Sequence, residues 1–147
     1  MIFTALVLAA AAPSVPLDCS AVSGALAQDK CQLAQSMAMK DPAPDCAGQG
    51  TQFDMNVCSY RDYLRADIAL NETWQQLSKG RDAAGLALHR DAQRKWLAYR
   101  DAQCLAENGR REDSGTIWPL LQNTCLEGMT KNRTQELRAY LEEDAKR

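Results

Sequence analysis

Asn56, Tyr60, Tyr63, Asp67, Leu70, Trp74 and Leu77 recur at alternating spacings of four and three. That spacing lays one stripe along a 3.6-residue helix. It predicts a helix from Gln52 to about Lys79, stopped by Gly80. Thr51 is a candidate N-cap, and Asp54 three residues on resembles a capping box with a shorter acid. A second helix is predicted from about Ala83 to Glu107, with Leu86, Gln93, Trp96, Leu97, Arg100 and Cys104 on or beside one face. The short Gly80-Arg81-Asp82 link makes the two an antiparallel hairpin. Asn108-Gly109 and the charged run from Arg110 to Asp113 read as a loop. Pro119 opens a third helix near Leu120 to Glu127. A last helix begins near Thr130, with Met129, Arg133, Leu137 and Leu141 on one side. No stretch alternates with a period of two, so the expected class is all-α: a disulfide-stapled helical bundle built on a long antiparallel hairpin.

Upstream, Ser20 to Lys40 is rich in Ala, Leu, Gln and Met, a helix-favouring composition that Asp41-Pro42-Ala43-Pro44 brings to an end. Gly24 weakens it. The cysteines refine this part. Asp-Cys, eleven residues, Cys occurs twice, as Asp18-Cys19 to Cys31 and Asp45-Cys46 to Cys58. Twelve residues of straight helix would part Cys19 from Cys31 by about 18 Å, whereas a disulfide wants Cα atoms roughly 6 Å apart. A bend near Gly24, with Cys31 on a following helix, is therefore expected. The repeat favours Cys19–Cys31 and Cys46–Cys58, leaving Cys104–Cys125. A rival remains: a hairpin turning near Arg81 sets residues whose numbers sum to about 162 opposite one another, which would pair Cys58 with Cys104 and Cys46 with Cys125.

Six cysteines in 147 residues, an even number, suit an oxidising compartment. Ile2 to Ala12 is an uncharged, Ala-rich apolar run, too short to span a bilayer and suited to the core of a signal peptide ending by residue 16, although no Lys or Arg precedes it. Asp18 before Cys19 argues against a lipoprotein signal. No later segment could cross a membrane once the signal is removed. The expected location is periplasmic or secreted. A net charge of −2 gives no pull toward nucleic acid or anionic lipid.

Polar groups stand on the helical seam where a simple bundle would carry Leu: Asn56, Asp67, Asn71, Gln93 and Arg100. Asp67 and Arg100 face each other across the hairpin, and the reading is a structural polar seam that sets helix register. No second carboxylate accompanies Asp67 at acid/base spacing, so no catalytic residue is assigned. His89 is the sole histidine and has no neighbour at ligand spacing; no metal and no cofactor are expected. Phosphate-loop, GxSxG and HExxH patterns are absent. Asn71-Glu72-Thr73 and Asn132-Arg133-Thr134 match the glycosylation pattern but fall in predicted helices. Trp74 and Trp96 are expected in the core. Trp118 instead lies in the loop between Cys104 and Cys125, with Arg110, Arg111, Glu112, Asp113, Ser114 and Gly115. A polar, disulfide-anchored loop carrying one aromatic is the candidate partner-binding surface.

Taken in order, Asp45-Cys46, the run from Thr51 to Cys58, Ala66 to Asn71, Gln93 to Cys104, and Cys125-Leu126 with Thr130 and Arg133 resemble the LprI-type lysozyme inhibitor family of small exported bacterial helical domains. The likeness covers Asp45 to about Leu141. It implies a domain over 45–147, with 17–44 an appended helical segment holding one Cys pair. It further implies a binding protein rather than an enzyme, with lysozyme as protein partner. The alternative is a periplasmic structural or assembly protein that never touches lysozyme.

Overall fold

The computed structural model describes residues 18–146; the expected signal peptide, 1–16, lies outside them. Four helices follow one another: α1 (Ala25–Met37), α2 (Gln52–Lys79), α3 (Ala83–Asn108) and α4 (Trp118–Asp144). Two single turns of 3-10 helix, Arg111–Asp113 and Gly115–Ile117, join α3 to α4. Among the described residues there is no strand.

The ends of the helices follow from local chemistry. Gly24, at φ 90°, turns the chain just before α1, a conformation glycine adopts without a Cβ clash. The turn brings Cys19 back to Cys31, with 5.9 Å between Cα atoms. At α2, Thr51 accepts from the Asp54 amide while the Asp54 carboxylate accepts from the Thr51 amide, so the reciprocal box forms with Asp in the acid's place. Asp54 also accepts from the Asp45 amide at 2.9 Å, which ties the preceding loop to the helix entrance. The aspartate of the Asp-Cys repeat has a job of its own. Asp18 Oδ1 accepts from the Ser20 amide and Asp45 Oδ1 from the Ala47 amide, each two residues on. Both copies thus use Asp to fold the backbone beside the first cysteine.

α4 departs from expectation. Two helices broken near Gly128 were expected; the structure has one of 27 residues. Pro119 sits in its first turn, where its missing N–H costs nothing. Gly128 faces open space and leaves no gap in any packing, so only its intrinsic propensity, about 1 kcal/mol against Ala, opposes the helix.

α2 is the spine. α1 packs on it at one end, α4 lies against it over the greatest length, and α3 packs on α4. The backbones of α2 and α3 stay further apart than an ordinary hairpin, because the large side chains of Tyr63, Trp96 and Arg100 stand between them. On the α4 side the two backbones lie close, and small Ala66 and Thr134 are buried. The apolar core is compact: Leu70, Leu77 and Leu137 are all but sealed from solvent, and Trp74, Trp96 and Leu141 pack around them.

The three disulfides are Cys19–Cys31, Cys46–Cys58 and Cys104–Cys125. Cys58 and Cys104 do not join: each is buried against a different neighbour, Cys58 at the entrance of α2 and Cys104 under α4. Proteolysis of the oxidised protein followed by mass spectrometry is expected to yield a peptide pair linking Cys104 to Cys125. A peptide linking Cys58 to Cys104 would refute the pairing.

Candidate functional site

The polar seam divides into three clusters. At its centre, Arg100 is buried and donates Nη1 to Asp67 Oδ1 at 2.9 Å and to Thr130 Oγ1 at 3.0 Å, and Nε to Asp101 Oδ1 at 2.9 Å. Its guanidinium lies over the rings of Tyr63 and Trp96, 5.6 and 5.5 Å from their centroids. Tyr63 donates its hydroxyl to Asp67 Oδ2. Burial, then the Asp67 charge, drives the Tyr63 hydroxyl well above the ordinary phenol range, so Tyr63 is a donor at every physiological pH. Gln93 joins from the side, accepting from Arg133 Nε, and Arg133 also lies over the Trp96 ring. Asp67, Gln93 and Arg100 therefore form one network linking α2, α3 and α4.

Asn56 and Asn71 lie elsewhere. Asn71 donates to Asp29 Oδ2 at 3.0 Å and holds α1 to α2. Asn56 is at the far end, where it donates to the Thr116 carbonyl at 2.9 Å and pins the α3–α4 loop.

That loop is exposed but tightly held. Arg110, Arg111, Glu112, Asp113 and Gly115 are exposed, while Ser114 and Trp118 are partly covered. Ser114 Oγ donates to the Asn108 and Arg110 carbonyls. Trp118 Nε1 donates to the Gly109 carbonyl at 2.8 Å, and Asn108 donates to Gln122 across the base. Below the loop, Cys104–Cys125 clamps α3 to α4. Phe53, Ile117 and Leu121 expose apolar surface at the same end of the bundle. The result is a pre-shaped surface with mixed charge and apolar contact area, whose backbone would lose little freedom on binding. Among the described residues no group of His, Cys, Asp or Glu could hold a metal and no cysteine is free. His89 stands at the opposite end, edge-on to Tyr140 at 5.5 Å; burial, then Arg81, lowers its pKa.

Two polar contributors, one buried and one half-buried, were not anticipated. Arg61, buried, donates Nε to Ser36 Oγ and Nη2 to the Ser36 carbonyl, closing the last turn of α1. Its signal is a second stripe on α2, since Asp54, Cys58, Arg61 and Leu64 are all buried at helical spacing. The other is Asp29, on α1, which accepts from Asn71. Burial, then the neighbouring Asp67 charge, raises its carboxyl to about 6 despite the Asn71 hydrogen bond, with Arg100 opposing. A carboxyl whose folded pKa lies above its unfolded value stabilises the fold when protonated; that contribution is present at low pH and lost as pH rises through about 6. Asp29→Asn is therefore expected to raise the urea midpoint at pH 7.5 and to do much less at pH 4.5. An equal gain at both pH values would contradict the assignment.

Comparison with known proteins bears on this frame. The family model described as lysozyme inhibitor LprI matches residues 44–137, from just before α2 through the α3–α4 loop to Leu137. An uncharacterized protein of Rhizobium meliloti (strain 1021) is 33% identical over 116 residues, which is 70% of this chain and 83% of that protein. No solved structure matches.

Proposed function

The chain belongs to the LprI lysozyme inhibitor family, and from that premise we propose that it is an exported binding protein that blocks a muramidase. The loop from Arg110 to Trp118 is the inhibitory surface. The observation that carries this reading is the loop's construction: it is exposed, yet held by a disulfide and by hydrogen bonds from Asn56, Ser114 and Trp118. It lies wholly inside the matched region. Glu112 and Asp113 supply acidic contacts for a cationic enzyme, while Ile117 and Trp118 supply apolar area. Three disulfides support export to the periplasm or beyond.

The test is turbidity clearance of cell walls by lysozyme, with and without the oxidised protein. Protection is expected, and its absence at tens of micromolar protein, roughly the affinity range of weak transient complexes, would sink the reading. Given protection, Glu112→Lys with Asp113→Lys should weaken it at least about tenfold, chiefly by slowing association. Unchanged potency of that double variant would clear the loop.

A further inference from the structure

Two shallow cavities lie end to end on one face of the molecule. One, of about 200 Å³, is bounded by the C-terminal half of α1 and by α2. The other, of about 310 Å³, lies between α2, the α3–α4 loop and the start of α4. Val57 and Tyr60 line both. The two cavities adjoin at those side chains, and α1, which lies outside the matched region 44–137, supplies one wall of the resulting groove.

The lining has a definite chemistry. It presents two aromatic rings, Tyr60 and Trp118, several side-chain amides, one cation, Arg111, and no carboxylate. Some of this polar capacity is unused. Gln32 Oε1 accepts from the Tyr60 hydroxyl at 3.1 Å, leaving its amide N–H groups without a protein partner among the described residues. Asn123 donates to Ser59 Oγ at 3.2 Å, leaving its Oδ1 likewise open. The long walls are helices with their backbone groups already bonded, so an extended peptide finds no strand edge to extend. An amphipathic helix would need a continuous aliphatic strip, which the amides interrupt. A sugar chain needs what is present: ring faces for its C–H surfaces, and amides for its hydroxyl and acylamino groups.

We propose that the groove binds an oligosaccharide carrying acetamido groups, with sugar faces on Tyr60 and Trp118, polar groups on Gln32 and Asn123, and an acetamido methyl on Val57. Its ligand differs from that of the muramidase-blocking loop, although Arg111 and Trp118 border both. Its occupancy does not depend on whether the protein inhibits an enzyme.

The experiment is an NMR titration of the oxidised protein with the β-1,4-linked N-acetylglucosamine tetramer, with no lysozyme present. Saturable shifts are expected at the Trp118 indole N–H and the Gln32 and Asn123 side-chain amides. Val57→Lys, which lays a long cation across the floor, and Gln32→Ala, which removes a wall amide, should each weaken binding at least about fivefold; the unperturbed remainder of each variant's spectrum reports that it is folded. The absence of shifts at about 10 mM sugar, shifts confined to another face, or equal binding by both variants would overturn the proposal. So would equal binding of maltotetraose, which lacks acetamido groups. Because no enzyme is in the tube, failure here leaves the inhibition reading standing, and failure of cell-wall protection leaves this one standing.

Discussion

Arg100→Met is expected to destabilise the protein by about 3–5 kcal/mol, the usual consequence of removing one partner from a buried ion pair. The Arg100 side chain is 6% exposed and that of Asp67 15%. Without the guanidinium, Asp67 keeps only the Tyr63 hydroxyl, and the Thr130 hydroxyl loses a donor. The lost stacking on Tyr63 and Trp96 adds to the effect. Pairing Arg100→Met with Asp67→Leu should recover most of the loss, because the stranded charge is then gone as well. Urea denaturation of the two single variants and the double variant completes the cycle. A loss below about 1 kcal/mol for Arg100→Met would place the pair among the weak surface bridges and contradict its burial.

Replacing Cys104 and Cys125 together by Ala is the second large effect. The bridge closes a loop over a separation of 21 residues, for which chain entropy predicts roughly 3 kcal/mol. In a body of this size that lowers the thermal midpoint by roughly 10 °C. Cys104 is completely buried, so some packing is lost as well. The functional consequence is sharper than the stability change. Hydrogen bonds from Trp118 and Asn108 still hold the loop, but the clamp beneath it is gone. If the proposed inhibition holds, it should fall at temperatures where circular dichroism still reports a folded protein. Full potency with an unchanged melting temperature would show that the clamp serves neither stability nor the surface.

The contrast with Cys19–Cys31 is instructive. That bridge joins Gly24's turn to α1 and lies far from the α3–α4 loop in sequence. Its removal should loosen α1 and leave the body of α2, α3 and α4 folded. The groove would then lose a wall while the loop keeps its shape.

Much of this architecture could be read from the chain because its causes are local. The Thr51–Asp54 box and the turn at Gly24 each act across a few residues. Two of the staples span only twelve. The stripe from Asn56 to Leu77 announced α2, and the pairing of Asp67 with Arg100 followed from an antiparallel turn at Gly80. The break expected at Gly128 was a misreading of a local signal: a glycine facing solvent interrupts nothing when the helix on either side is held by its packing.

Other features depend on which helix face meets which, and no local spacing encodes that. Several stripes run along α2, and periodicity alone cannot say which takes α4 and which takes α1. α4 lies close along α2, while Tyr63, Trp96 and Arg100 stand between α2 and α3. The buried Arg61 has meaning only once the end of α1 is beside it. The groove is the clearest case, since Gln32, Tyr60, Arg111 and Trp118 come from three separated segments. By itself the sequence determined the helices, their caps and the short staples, through forces acting within a few residues. The tertiary structure decided the order of packing and the surfaces it leaves open, because those depend on side-chain volumes meeting across helices.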